Sequence, residues 1–170
     1  MRGYFGIGSE RISKPMNLGA ILRTGHAFGA SFVYSVAAHH PTGEIEFADT
    51  AKTAGEIPYY DWPNLDAMRL PKGCALVGVE LSDDAIDLPS FRHPLNAAYI
   101  LGPEKGDLSD AAQGLCEHII RIPTKFCVNL SVAAAIVMYD RLLSLGGYPV
   151  RPVSAGGPPP DALWQAPRKA

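Results

Sequence analysis

Polar side chains that could grip a phosphate or help to move a proton fall in three short stretches of the chain. The first stretch holds Asn17 and Arg23, and an arginine can hold a phosphate through two parallel hydrogen bonds. The second is LGPEKGDLS, in which Glu104 follows an apolar run, and the third places Asn129 after a polar loop. Each stretch also has an ordinary structural interpretation: a solvated arginine, a strand-to-helix turn and a helix cap.

The third stretch has the pattern of a strand, a loop and a helix in succession. Ile119–Ile122 is a short apolar strand, and the proline after it ends the strand because it has no N–H to donate. A loop follows at residues 124–128, and a helix is predicted from about Leu130 to Leu145. Asn129 or Ser131 can cap that helix by accepting a hydrogen bond from a free first-turn N–H. A polar loop in this place is a natural ligand site in an α/β sheet.

The first stretch predicts a helix that has Asn17 as its N-cap and ends at Gly29. The amides of Leu18 and Gly19 would then lie in the first turn, where anions bind. Arg23 follows six residues after Asn17, which is ~240° around a helix of ~100° per residue. The two side chains are therefore expected to border one cleft from its end and from its side.

Apolar runs elsewhere in the chain predict the remaining strands. These runs are Tyr4–Gly8, Ser31–Val36, Ile57–Tyr60, Ala75–Glu80 and Ala97–Leu101. Helical segments are expected at Phe47–Ala54, at Leu65–Met68 and from a cap at Asp107 or Ser109 to about Cys116. Uninterrupted apolar strands that alternate with helices are typical of a parallel sheet buried on both faces. The fold class is therefore α/β, with one layer of parallel strands and helices on both sides.

Composition limits the classes of protein that fit. The 170 residues suffice for one domain with a proper core, and no run reaches the ~18 apolar residues of a membrane span. Three widely spaced cysteines indicate reduced thiols in the cytosol rather than disulfides or a zinc site. A net charge of −2 gives no overall attraction for nucleic acid, so any RNA contact needs a local basic patch. The proline-rich residues 149–170 are expected to form an extended or disordered tail.

In order and spacing, the segments NLGAILRTGHAFGA, ILGPEKGDLS and RIPTKFCVNLSVAAAIVMYDR resemble the three motifs of the SpoU (TrmH-like) family. Members of this family are SPOUT-class RNA 2′-O-ribose methyltransferases that use S-adenosylmethionine. The resemblance covers about Tyr4–Tyr148, so residues 1–148 are interpreted as one methyltransferase domain. It implies a deep trefoil knot built from Leu101–Leu145, and a cytoplasmic homodimer whose active site is completed near the dimer interface.

The resemblance also implies roles for individual residues. The methyl donor would lie in the knot, in contact with Val79, Glu80, Leu81, Leu101, Gly102, Pro103, Ile122, Cys127, Val128 and Asn129. Catalysis would involve Asn17, Arg23, Glu104 and Asn129, with Asn17 and Arg23 facing the RNA. Because a guanidinium stays charged, Arg23 is expected to hold the neighbouring phosphate and to stabilise the developing alkoxide rather than to act as a base. No metal ion is required.

Two features depart from the usual pattern of the family. The loop of the third motif is shorter, and Cys127 stands in place of the usual serine, for which it is a weaker hydrogen-bond partner. The chain also shows no additional RNA-binding domain before Tyr4, which is the arrangement of the smallest members, and these mostly modify tRNA. Transfer RNA is therefore the expected substrate, with rRNA as the alternative.

Three other functions fit part of the pattern. A catalytically silent, knotted RNA-binding or assembly protein would agree with Cys127 and with the acidic charge balance, but the intact polar motif residues oppose it. A methyltransferase that acts on a base would leave the motif from Asn17 to Arg23 unexplained. A nucleotide-binding oxidoreductase would need a glycine fingerprint after the first strand, whereas the glycines of Gly3–Gly8 have the wrong spacing and lie within the strand.

Overall fold

Strands and helices alternate through the computed structural model, which describes residues 3–39, 55–148 and 155–156. The strands in these ranges are β1 (Tyr4–Glu10), β2 (Phe32–Val36), β3 (Tyr59–Trp62), β4 (Ala75–Val79), β5 (Ile86–Asp87), β6 (Asn96–Leu101) and β7 (His118–Arg121). The helices are α1 (Pro15–Phe28), α2 (Asp110–Leu115) and α3 (Leu130–Ser144), with 3-10 turns at Leu65–Ala67 and Leu88–Ser90.

These strands form one sheet in the order β3-β2-β1-β6-β4-β7-β5, and every neighbouring pair is parallel. Parallel strands need crossover connections rather than tight turns. In the register of the sheet, Val79 pairs with both Leu101 and Ile120. The carboxyl ends of β4, β6 and β7 therefore lie side by side, and the loops that follow them start from the same end of the sheet.

The pleat of the strands sends alternate side chains into two hydrophobic clusters. In β6, Ala97, Tyr99 and Leu101 belong to the first cluster, whereas Ala98 and Ile100 belong to the second. Helices α1 and α3 contribute buried side chains to the first cluster, and α2 contributes to the second. Helices therefore cover both faces of a parallel sheet, which confirms the fold class predicted from the continuous apolar runs.

A buried arginine anchors the C-terminal half of α3 to the segment before β6. Arg141 is 0% exposed, and its guanidinium donates hydrogen bonds to the carbonyl oxygens of Pro94 and Leu95, both at 2.6 Å. It also donates to the Tyr99 hydroxyl at 3.1 Å, and the ring of His93 contacts the same hydroxyl at 2.6 Å. A buried charge is tolerated only when it is hydrogen-bonded in this way. The contacts fix the direction in which α3 runs and thereby hold its N-terminus at the strand ends.

Helix α1 begins earlier than the sequence pattern predicts. The prediction that Asn17 caps this helix is wrong, because the helix begins at Pro15 and Lys14 is its N-cap residue, without a side-chain cap bond. Proline suits the first helical position, since its φ is already helical and its missing N–H is not needed there. Asn17 therefore lies inside the first turn, where its side chain is available to a partner elsewhere in the fold.

Other boundaries differ less from the predictions. Ser109, one of the two proposed caps, is the N-cap of α2 and accepts a hydrogen bond from the Ala112 N–H. β3 occupies Tyr59–Trp62 rather than Ile57–Tyr60, and β5 and the 3-10 turn after it were not predicted. The helix expected at Phe47–Ala54 lies outside the described residues, as does most of the tail at 149–170.

Candidate active site

A cavity of about 400 Å³ opens at the carboxyl ends of β4, β6 and β7. The loops that follow these strands form its walls, together with the first turn of α3 and the residue before α1. The structure places every residue expected to hold the methyl donor around this cavity: Val79, Glu80, Leu81, Leu101, Gly102, Pro103, Ile122, Cys127, Val128 and Asn129. Residues drawn from three separate stretches of the sequence therefore meet at one site.

The Glu80 carboxylate fixes the loop after β6 against the end of β4. It accepts hydrogen bonds from the Leu108 N–H at 2.6 Å and from the Leu81 N–H at 2.8 Å. Gly102 permits the close approach of this loop, since a Cβ at that position would lie 2.8 Å from the Leu108 nitrogen. Two of the three cavity loops are thus tied to each other through the Glu80 side chain.

Glu104 organises the N-terminus of α1 from the facing loop. Its carboxylate accepts hydrogen bonds from the Ser13 N–H and hydroxyl at 2.9 and 2.8 Å, the Lys14 N–H at 2.9 Å and the Asn17 side-chain amide at 3.0 Å. Burial alone would raise the pKa of Glu104, but the hydrogen bonds from Asn17 and Ser13 outweigh it and lower the pKa to about 2. Glu104 is therefore ionised at neutral pH and acts as a hydrogen-bond acceptor rather than as a proton acceptor.

Asn17 connects Glu104 to the third motif. Its buried side chain donates to Glu104 and accepts a hydrogen bond from the Asn129 amide at 3.3 Å. The Asn129 oxygen in turn accepts from the N–H and the hydroxyl of Ser131, at 2.9 and 2.7 Å, and so caps α3 as predicted. One chain of hydrogen bonds therefore joins residues from all three motifs, although Asn17 itself lies behind the cavity wall.

Arg23 lies apart from this network within a single chain. Its side chain is exposed, it shares the outer face of α1 with Met16, and it does not line the cavity. The structure thus brings together Asn17, Glu104 and Asn129 and places Arg23 on a separate surface. The expectation that Asn17 and Arg23 border one cleft and both face the RNA is therefore not met within one chain, because the Asn17 side chain is buried between Glu104 and Asn129.

Further residues line the cavity although the sequence pattern did not assign them to the donor: Lys14, Gly106, Asp107, Leu130 and Ala133, with Thr124 inside the expected loop. Lys14 could have been found, because the proline after it marks the first helical position and so places Lys14 at the start of α1. Ala133 lies one turn after the cap of α3 and faces the same space as Leu130. Gly106 and Asp107 belong to the second motif but follow the residues of it that were assigned to the donor.

The three cysteines are free thiols, and Cys127 is the exposed one that borders the cavity. Within the described ranges, no cluster of three or more His, Cys, Asp or Glu side chains is placed to hold a metal ion. Helices in that part of the chain all fall short of the length and hydropathy needed to cross a membrane.

The motifs and the fold lead to one protein family. The sequence pattern of the SpoU rRNA Methylase family matches residues 5–139. This chain belongs to that family. The match runs from β1 into α3 and includes every residue of the hydrogen-bond network between Glu104 and Ser131, so the SpoU resemblance seen in the three motifs is confirmed over most of the chain.

Relatives within the SpoU family include enzymes that act on tRNA and on rRNA. A tRNA (guanosine(18)-2′-O)-methyltransferase of Thermus thermophilus is 33% identical over 139 residues, which cover 77% of this chain and 70% of the relative. A 23S rRNA (guanosine-2′-O-)-methyltransferase, RlmB, of Neisseria meningitidis is 30% identical over 138 residues, which cover 77% of this chain and 55% of the relative. An AdoMet-bound rRNA methyltransferase from Sinorhizobium meliloti has the same fold, with a TM-score of 0.76 at 22% identity over 85% of this chain and 58% of that chain.

Proposed function

We propose that this protein is an S-adenosylmethionine-dependent RNA 2′-O-ribose methyltransferase and that its substrate is tRNA. The observation that carries the proposal is the chain of hydrogen bonds that joins all three SpoU motifs, from Glu104 through Asn17 to Asn129, beside a cavity lined by the second and third motifs. Transfer RNA is favoured over rRNA because the Thermus tRNA enzyme is 33% identical to this chain and the Neisseria rRNA enzyme is 30% identical over a segment of nearly the same length.

The cavity suits the chemistry of this donor. Its volume of about 400 Å³ falls within the range of about 300–1,000 Å³ that is common for small-molecule sites. Val79, Leu101, Ile122 and Leu130 supply apolar walls for an aromatic ring, and the surrounding loops can offer backbone hydrogen bonds to its edge. When bound, the donor supplies an electrophilic methyl group carried on a sulfonium. The task left to the protein is to align a ribose 2′-oxygen with that methyl group and to assist the loss of its proton.

The roles of the motif residues follow from their hydrogen bonds. Glu104 keeps the start of α1 and the Asn17 amide in place, and its pKa of about 2 means that it does not take up the ribose proton at neutral pH. Asn129 lies in the cavity wall, and its hydrogen bond to Asn17 joins Glu104 and the start of α1 to α3. The proton of the 2′-hydroxyl leaves to water or to a neighbouring phosphate as the oxygen–carbon bond forms and the carbon–sulfur bond breaks. Arg23 holds that phosphate and stabilises the charge that develops on the oxygen.

Because Arg23 does not reach the cavity of its own chain, we propose that it serves the cavity of a second copy. A shallow apolar groove between α1 and α3 is the proposed dimer contact, and Phe28, Val132 and Tyr139 lie among its lining residues. Val132 and Tyr139 are 48% and 43% exposed, and exposed apolar surface of this kind marks an interaction site. The groove begins at Ser131, which bonds to Asn129, so a copy seated there would lie beside the cavity.

Mixing two inactive variants tests this arrangement. Arg23→Ala and Asn129→Ala are each expected to abolish methylation alone. If Arg23 acts in the partner's cavity, a mixed dimer contains one site with an intact Asn129 and an intact Arg23, and mixing the variants restores activity. If Arg23 acts in its own cavity, both sites of the mixed dimer are defective and mixing restores nothing.

We further propose that Leu101–Leu145 form a deep trefoil knot within a domain of residues 1–148. Two observations support the knot. β4 lies between β6 and β7 in the sheet, and α3 returns from β7 to pack against α1, which follows β1 on the far side of β6 from β4. The fold shared with the Sinorhizobium enzyme adds to this support. A chain that ends at residue 148 should retain donor binding if residues 149–170 are a tail outside the catalytic domain, and loss of binding would refute that division.

Methyl transfer to unmodified RNA tests the proposed activity. Purified protein is incubated with tritiated S-adenosylmethionine and either tRNA transcripts or protein-free rRNA, and the label in each RNA is counted. The proposal predicts label in tRNA. Label in rRNA alone would show that rRNA, not tRNA, is the substrate. Donor binding without label in either RNA would favour a catalytically silent RNA-binding protein.

A further inference from the structure

The shortened loop of the third motif displays an aromatic ring to solvent. The Phe126 side chain is 78% exposed, although burying a phenylalanine is worth roughly 1.5–3 kcal/mol. The loop is held in shape by Thr124, whose N–H donates to the Ile122 carbonyl at 2.7 Å and whose hydroxyl donates to the Phe126 carbonyl at 2.9 Å. The ring is therefore presented by an ordered backbone beside the cavity.

Lysines occur in each of three segments that meet at the cavity mouth. Lys14 lines the cavity, Lys105 lies between two residues that line it, and Lys125 follows Thr124, which also lines it. All three side chains are exposed, and none forms an ion pair with another residue that the structure describes. The cavity is also lined by Glu80, Glu104 and Asp107, but the Glu80 and Glu104 carboxylates accept hydrogen bonds from neighbouring donors. The three lysines therefore supply positive charge at the opening, in a chain whose net charge is −2.

We infer that Phe126 and the three lysines bind a single-stranded segment of the RNA substrate, with Phe126 stacked on a base and the lysines on phosphates. This inference rests on the proposed function and specifies how its substrate is held. An exposed aromatic ring next to basic side chains is the combination that single strands require, because their bases have free faces. A duplex hides those faces within its stack, so that the ring would gain nothing from it.

Charge favours RNA over a second copy of the chain as the occupant of this surface. A symmetric contact between two such surfaces would bring two sets of lysines together, and like charges across an interface are unfavourable. An RNA backbone instead offers one phosphate per nucleotide. The dimer contact proposed above has its own apolar surface around Val132 and Tyr139, which carries none of the three lysines.

Fluorescence anisotropy with a short, labelled single-stranded RNA of mixed sequence tests the role of the ring. Phe126→Ala should weaken binding about tenfold or more, because stacking on one base is worth that much by alanine substitution. Phe126→Tyr keeps a ring and should bind nearly as wild type. Leu95→Ala is the matched control, since Leu95 is 57% exposed but precedes β6 at the opposite end of the strands. The same sequence in duplex form should bind more weakly and should not respond to Phe126→Ala.

The lysines are tested through the salt dependence of binding. Each phosphate contact on a single strand contributes about 0.7 to the slope of log affinity against log salt, so Lys14→Ala, Lys105→Ala and Lys125→Ala should each lower the slope by about that amount. Lys72→Ala removes the same charge from an exposed turn before β4, at the far end of the sheet. It should leave the slope unchanged.

Donor calorimetry and light scattering on the same variants separate the possible failures. Unchanged RNA affinity in Phe126→Ala would overturn the inference, as would a loss that appears only because the variant has become a monomer. A wild-type protein that binds RNA through Phe126 but transfers no methyl group would sustain this RNA site and defeat the proposed function instead. Equal binding of single strand and duplex would refute the stacking role.

Discussion

Replacing Glu104 with glutamine tests whether the hydrogen-bond network holds the site together. Every partner of this carboxylate is a donor, so the NH₂ group of a glutamine would face at least one N–H group with no acceptor between them. The pKa of Glu104 falls from its ordinary value of 4.5 to about 2, and a difference of about 2.5 corresponds to about 3.5 kcal/mol at about 1.4 kcal/mol for a pKa change of one. Because the carboxylate is only partly buried, screening by solvent reduces the expected loss of unfolding free energy to about 1–2 kcal/mol.

The pH dependence of this loss has a defined direction. The pKa of Glu104 is lower in the folded protein than in the unfolded chain, so its contribution to stability is fully present above pH 4.5 and is lost as the pH falls towards about 2. The free energies of unfolding of wild type and Glu104→Gln should therefore differ most near neutral pH and become equal as the pH is lowered.

Urea unfolding followed by circular dichroism at a series of pH values measures both effects. Glu117→Gln is the matched control, because it removes the same charge from an exposed side chain outside the network. Donor affinity should also fall in Glu104→Gln, since Ser13, Lys14 and Asn17 lose their common anchor. Equal free energies of unfolding for Glu104→Gln and Glu117→Gln at pH 7 would refute this role of Glu104. So would a difference in unfolding free energy between wild type and Glu104→Gln that stays constant as the pH is lowered.

Three further predictions concern the other parts of the site. Arg23→Ala should slow single-turnover methylation by about 10²–10³ and leave donor affinity, measured by calorimetry, unchanged. Arg23→Lys should lose most of the methylation rate too, because an ammonium lacks the planar two-point grip. Near-normal rates would remove Arg23 from the mechanism. Asn129→Ala should cost about 1 kcal/mol of stability through the lost helix cap and should also weaken donor binding, in contrast to Arg23→Ala. Light scattering should show that the wild-type protein is a dimer of the 18.2 kDa chain. Tyr139→Asp should convert this dimer to a monomer and abolish methylation. A monomeric wild type at micromolar concentration would contradict the proposed assembly.

The donor loops could be predicted from the sequence because local pattern and topology agree there. Continuous apolar runs mark β4 and β6, and the isoleucine pair before Pro123 marks β7. In parallel strands the carboxyl ends meet at the same end of the sheet. The register that pairs Val79 with Leu101 and Ile120 then places the following loops around one space. The family motifs supplied the identity of the ligand, which strand pattern alone does not specify.

The position of Asn17 could not be predicted in the same way. Local pattern favours asparagine as a helix cap, but its partners Glu104 and Asn129 lie 87 and 112 residues away in the chain. A contact between residues so far apart leaves no periodicity that a single sequence can show. The proline at position 15 was the better signal for the start of α1, because it constrains the backbone itself.

Arg23 and β5 show two other limits of sequence reasoning. The helical pattern places Arg23 and Asn17 on different sides of α1, and the proposed assembly puts Arg23 at the cavity of a second chain, which the sequence of one chain does not reveal. β5 has only the two residues Ile86 and Asp87, which is too short for an alternating pattern. Its place at the edge of the sheet follows from pairing with β7.

The position of the transferred methyl group decides whether this protein is a ribose 2′-O-methyltransferase. An unmodified tRNA transcript is incubated with the protein and with S-adenosylmethionine that carries a deuterated methyl group, and the RNA is digested to nucleosides for mass spectrometry. We expect a nucleoside whose added mass lies on the ribose as a 2′-O-methyl group, and we expect this nucleoside to be absent with Arg23→Ala. A label found on a base, or no label in RNA from a protein that binds the donor, would contradict it.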